Sequence, residues 1–164
     1  KQYVSSEFLP GVLTSGTIVN GVRHEDLQVT SFKDNSFDIV ISTEVFEHIP
    51  HPYKAFKEVY RILKPGGAHV FTVPYAANSK LDINMSFISE EGVLMNGPGK
   101  PPNLIPPHYH GDSLRKEGII VFTIFTPQML EKLCAIGFNV ETTMIQNAGL
   151  GIVGQESLVF TAWK

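Results

Sequence analysis

The stretch Phe37–Tyr75, FDIVISTEVFEHIPHPYKAFKEVYRILKPGGAHVFTVPY, reads in order as strand, acidic loop, amphipathic helix, glycine turn and strand. Phe37 to Ser42 is a short apolar run rich in β-branched residues, the pattern of a parallel strand buried on both faces. Pro52 suits the first turn of a helix, and Ala55, Phe56, Val59, Ile62 and Leu63 then recur at the spacing of one helical face. Lys64-Pro65-Gly66-Gly67 stops that helix, and Ala68 to Val73 is the second strand. Together these elements make a βαβ unit. In open α/β sheets ligands sit outside the carboxyl ends of the strands, so Ser42, Thr43, Glu44, Glu47 and His48 lie where chemistry is expected.

Working outward, the order of motifs matters more than any one of them. Asp26, Phe32, Ser36-Phe37-Asp38-Ile39-Val40, Glu47-His48-Ile49 and Leu63-Lys64-Pro65-Gly66-Gly67 resemble the class I methyltransferases that use S-adenosylmethionine, of the type 11-like domain. The resemblance covers roughly the first half of the chain. It implies an α/β fold with a Rossmann-like, mostly parallel sheet and an antiparallel last strand. Thr126 to Gly137 then looks like the family's last helix, and Phe138 to Ile145 with Ser157 to Trp163 like its closing strand pair.

The resemblance also implies roles. Gln2 to Ser6 is the expected second strand, and Glu7 falls where the family binds the ribose hydroxyls; two oxygens on one carboxylate suit a vicinal diol. Ile18 to Val22 is the expected third strand, with Asp26 and Leu27 placed at the adenine. Thr43 and Glu44 would face the amino-acid part of the cofactor. The family's first strand and its Gly-rich turn have no counterpart before Lys1. Three explanations stand: upstream residues were removed or unrecorded, another chain or a second copy fills the gap, or the strand order differs.

Glu44-Val45-Phe46-Glu47-His48 is an E-x-x-E-H motif similar to the divalent-metal motif of the ubiquinone-pathway O-methyltransferases and the small-RNA 2′-O-methyltransferases. It implies Glu44, Glu47 and His48 as ligands of Mg²⁺ or another divalent cation, completed by His108 or His110. The other reading gives Glu47 to the cofactor or to the helix start, and His48 to the pocket wall. His108 and His110 share a face if extended, and their loop, Pro106-Pro107-His108-Tyr109-His110-Gly111-Asp112, resembles methyltransferases encoded among polysaccharide-building enzymes. His48, His108 and His110 are thus the candidate catalytic histidines, beside hydrogen-bonded loop roles. His24 and His69 read as structural, and His51 as solvent-facing.

Residues 76–118 hold no sustained period, and Pro98, Pro101, Pro102, Pro106 and Pro107 crowd together there. Met85, Phe87, Ile88, Val93, Leu94 and Met95 argue that this inserted loop packs, as a substrate pocket or lid, within one domain over 1–164.

Composition narrows the function class. With 164 residues, 43% hydrophobic and 18% charged, the chain is ordinary for one globular domain. A net charge of −3 with 13 scattered Lys and Arg gives no basic field for nucleic acid. No apolar run reaches the roughly 20 residues of a membrane span, and no signal peptide is visible. The single cysteine, Cys134, excludes an intrachain disulfide and reads as a buried residue in a reducing, cytoplasmic protein. The expected function is transfer of the cofactor methyl to a small hydroxylated acceptor such as a sugar, with a non-catalytic or truncated module that binds a partner chain as the alternative.

Overall fold

A computed structural model describes residues 3–12, 14–90, 94–96, 109–110, 118–153 and 157–164. The chain opens irregularly, then forms a tight hairpin of β1 (Ile18–Val19) and β2 (Val22–Arg23). The decisive βαβ unit follows as β3 (Phe37–Thr43), α1 (Pro52–Ile62) and β4 (Leu63–Thr72), with β3 and β4 parallel. Short strands come next: β5 (Ile83–Asn84), β6 (Ser86–Ile88), β7 (Leu94–Asn96), β8 (Tyr109–His110), β9 (Ile119–Ile120) and β10 (Thr123–Ile124). The chain closes with α2 (Pro127–Ile136), β11 (Asn139–Met144) and β12 (Leu158–Trp163).

The main sheet runs β11-β12-β4-β3, its last two strands parallel and the others antiparallel. Alternation of side chains sends Val40, Ser42, His69, Phe71, Phe160 and Ala162 to one face. Both helices lie on that face, and Phe46, Phe56, Val59, Phe71, Met129, Leu133 and Phe160 join in one buried cluster. Gly67 lets β4 come close to β3, because a Cβ there would sit 2.9 Å from the Lys64 carbonyl and 3.0 Å from that of Asp38.

The closing elements match the expectation. Thr126 caps α2 by accepting a hydrogen bond from the Gln128 amide, and Gly137 ends the helix at a φ of 120°, a conformation that disfavours a side chain. β11 and β12 pair antiparallel over six residues each.

Four expectations are corrected. β3 is not buried on both faces: Ile39 and Ile41 are 59% and 73% exposed on the side away from the helices. Residues 3–6 form no strand, and Glu7 makes only an isolated parallel bridge to His24. Ile18 to Val22 is not one strand but a hairpin, turned at Asn20 and Gly21, both with positive φ. Cys134 is exposed, because the apolar face of α2 is carried by Met129 and Leu133 instead. The described part of the inserted loop does pack: β6 pairs β7, β5 pairs β10, and Ser86 is buried.

Candidate functional site

The backbone reverses sharply where β3 ends. Glu44 takes a φ of 50°, a left-handed conformation costing about 1–2 kcal/mol for a residue with a side chain. Its amide donates to the Thr72 carbonyl at 3.2 Å, so the reversal is tied to the end of β4. A 3-10 turn, Phe46–His48, follows. Phe46 is fully buried and stacks on Phe56 of α1 with ring centroids 4.0 Å apart, which anchors the turn to the core.

With that anchor, Glu47 and His48 face the inserted strands. The Phe122 amide donates to the Glu47 carbonyl at 2.7 Å. His48 Nδ1 lies 2.6 Å from the Ile120 carbonyl oxygen. A carbonyl can only accept, so Nδ1 carries the hydrogen, and in the neutral ring the lone pair is on Nε2. Nε2 sits 3.6 Å from Glu47 Oε1. The Glu47 side chain is completely buried; burial first, then the neighbouring Glu44 carboxylate, raise its pKa to about 8. Near neutral pH it is therefore mainly a protonated acid beside a hydrogen-accepting imidazole.

The expected nucleoside residues gather in a second place. The Glu7 amide donates to the Arg23 carbonyl at 2.9 Å, and the Glu25 amide to the Glu7 carbonyl at 3.1 Å. Glu7 thereby lies beside the segment that carries Asp26 and Leu27. Its own side chain is exposed, with no hydrogen bond or ion pair among the described residues. Asp26 is partly engaged already: Oδ1 accepts from the Gln28 amide at 2.8 Å and from its side chain at 3.2 Å. Leu27 packs against the core cluster that contains Phe46, which links the two places.

Histidines sort as expected where they are described. His24 Nδ1 accepts the Leu9 amide at 2.9 Å. His69 is fully buried, 3.0 Å from Ser42 Oγ, and burial depresses its basicity to about 3. His51 is exposed at the head of α1. His108 and the side chain of His110 lie outside the described residues; the His110 backbone pairs with Ile119. Among the described residues no three His, Cys, Asp or Glu side chains are grouped to hold a metal ion. Glu44, Glu47 and His48 alone do not make a metal centre among the described residues.

Sequence reasoning missed Asp82. Its buried carboxylate accepts from the Tyr53 hydroxyl, from Lys132 Nζ at 2.9 Å, and from the Thr126 amide and hydroxyl at 3.1 Å each. These donors come from α1, from the N-cap of α2 and from Lys132 within α2, 29 to 50 residues away in sequence, so no local pattern could reveal the cluster.

Residues 5–71 match the family model described as a methyltransferase domain. Among solved structures, an S-adenosylmethionine dependent methyltransferase from Mesorhizobium loti aligns with a TM-score of 0.52 at 21% identity, over 90% of this chain and 72% of that one. Phosphoethanolamine N-methyltransferase 2 of Caenorhabditis elegans is 46% identical over 48 residues, 29% of this chain and 11% of its own length. An uncharacterized methyltransferase of Mycobacterium sp. strain KMS is 34% identical over 74 residues, 43% of this chain and 29% of its own length. The chain thus spans between about a tenth and three tenths of these curated relatives. The fold is that of the class I S-adenosylmethionine-dependent methyltransferases.

Proposed function

We propose that the protein transfers the methyl group of S-adenosylmethionine to a hydroxyl of a small, hydroxylated acceptor in the cytoplasm. The observation that carries this reading is the acidic turn 44–48, held at the carboxyl end of β3 inside a methyltransferase fold, with an imidazole whose orientation is fixed. When bound, the cofactor supplies an electrophilic methyl on a sulfonium; its carbon–sulfur bond breaks as the acceptor oxygen bonds to carbon, and the electron pair stays on sulfur. Glu7 would hold the ribose diol, Asp26 and Leu27 the adenine, and Thr43 and Glu44 the amino-acid end. His48 Nε2 would take the proton that the acceptor hydroxyl gives up, because the Ile120 carbonyl keeps the hydrogen on Nδ1. Protonated Glu47, whose Oε1 lies 3.6 Å from Nε2, can donate toward the acceptor rather than toward that nitrogen, whose lone pair is needed for the proton.

The test is methyl transfer from labelled cofactor to a panel of alcohols, sugars and amines, with and without chelator. His48→Ala should lower turnover at least 100-fold, while S-adenosylhomocysteine affinity changes less than twofold. Equal loss of both would remove His48 from the reacting centre. Unchanged turnover in excess chelator agrees with a metal-free base, and loss there would restore the divalent-cation reading of Glu44, Glu47 and His48.

A second reading has its own support. Ile39 and Ile41 are exposed beside the outer edge of β3, where no strand pairs among the described residues. A methyltransferase-like module that binds a partner chain or a second copy along that edge would use both features.

A further inference from the structure

Between the first turns of α1 and α2 lies a cavity of about 320 Å³, lined among others by His51, Asn84, Ser86, Phe87, Gln128 and Lys132. The methyl-transfer chemistry above leaves it unused. Its volume is at the small end of ligand pockets, which start at about 300 Å³.

One wall group singles it out. Ser86 is 3% exposed, and its hydroxyl has no hydrogen-bond partner among the described residues. Buried polar groups are almost always paired, and an unpaired one costs stability. A ligand that both donates and accepts would satisfy it. The Gln128 side chain points the same way: its carbonyl oxygen accepts the Asp82 amide at 3.2 Å, which fixes the amide plane, and its NH₂ has no partner among the described residues. Asn84 and His51 likewise make no side-chain hydrogen bond among the described residues.

Charge in the pocket is already compensated. Lys132 Nζ is bound to Asp82 at 2.9 Å and lies 4.2 Å from the centre of the Tyr53 ring. A phosphate or carboxylate would have to compete with Asp82 for that cation. What remains is a set of amide, hydroxyl and imidazole groups beside Phe87, which is 39% exposed. That combination matches a ring whose hydroxyls each donate and accept and whose C–H face can lie on an aromatic ring.

The pocket is also mechanically joined to the acidic turn. The Met85 and Ser86 amides donate to the Phe122 carbonyl at 2.8 and 3.4 Å, and the Phe122 amide donates to the Glu47 carbonyl at 2.7 Å. Resting on the methyl-transfer reading for its role, we propose that this pocket holds an uncharged sugar ring of the acceptor, with Ser86, Asn84 and Gln128 reading its hydroxyls.

The experiment is a chemical-shift titration of the full chain with methyl α-glucoside, methyl α-mannoside and methyl α-galactoside, against glucose 6-phosphate and inorganic phosphate. S-adenosylhomocysteine affinity is measured in parallel. At least one neutral glycoside should saturate and shift residues 84–87 and 128. Ser86→Ala and Gln128→Ala should each weaken it fivefold or more, while Ser86→Ala melts no lower than the parent and binds S-adenosylhomocysteine equally. The proposal is overturned if no glycoside saturates while S-adenosylhomocysteine binds, if glucose 6-phosphate or phosphate binds tenfold tighter than every glycoside, or if Ser86→Ala leaves glycoside affinity unchanged. Glycoside binding without S-adenosylhomocysteine binding would overturn the methyl-transfer reading and the acceptor role with it.

Discussion

At the residue scale, position in the fold decides what each titratable group can do. His48 and His69 are both imidazoles near the carboxyl half of the sheet, yet His48 lies in the acidic turn beside Glu47 while His69 does not. His69 sits in the core, stacked on Phe71 with centroids 4.5 Å apart. Its usual value near 6.5 is depressed to about 3 by burial, so between those values the unfolded chain takes up a proton that the folded chain refuses. Stability is then unaffected above about pH 6.5 and falls by up to about 1.4 kcal/mol per unit as pH drops through the window toward 3. Urea unfolding of the double variant Ser42→Ala/His69→Phe at pH 7 and pH 4 checks this: the variant should lose less stability on acidification than the parent. An equal loss would mean that His69 is not the acid-sensitive group. The structural role of His69 was legible in the sequence because it stands inside an apolar strand. Which way His48 faces was not, because the Ile120 carbonyl that orients it is 72 residues away.

At the element scale, the best-read pieces are those whose start and stop signals are local. α2 has a capping threonine, a proline in its first turn and a terminal glycine, and its bounds agree with the expectation to within a residue at each end. The strand after it was expected from the resemblance to the family's closing pair, and β11 lies inside the expected range. By contrast, Ile18 to Val22 has the composition of a strand, but Asn20-Gly21 provides the left-handed pair that a tight hairpin needs, and the turn wins over the run. Thr126 does more than cap: its hydroxyl also donates to Asp82 at 3.1 Å, joining α2 to the loop before β5. Thr126→Ala should therefore cost about 2 kcal/mol, one part for the cap and one for the bond to a charged group. Thr126→Ser should recover most of it, as chemical denaturation can measure. A Ser variant as unstable as the Ala variant would assign the loss to the methyl group's packing.

At the scale of the whole molecule, the sheet is two-sided in pattern but covered on one side. Both helices pack on the face that carries Phe71 and Phe160, while Ile39, Ile41 and Trp163 are exposed on the other. The partner-chain reading would use this apolar face as its interaction surface. Replacing Ile39 and Ile41 with Thr keeps the β-branched shape and should shift the chain toward monomer in sedimentation without lowering its melting temperature by more than about 5 °C. Self-association unchanged by the pair would place the contact elsewhere. No helix among the described residues is long and apolar enough to cross a membrane.

The βαβ unit was readable because its signals are periodic and contiguous, whereas the site depends on meetings between distant segments, Glu7 with His24 and His48 with Ile120. If Glu7, Asp26, Leu27, Thr43 and Glu44 make a cofactor site, calorimetric titration of the chain with S-adenosylhomocysteine, alongside its mass in solution, tests it most directly. Saturable micromolar binding, weakened at least tenfold by Glu7→Ala, is the predicted result; a chain that keeps its fold and shows no binding at millimolar ligand, as monomer or dimer, would contradict the account.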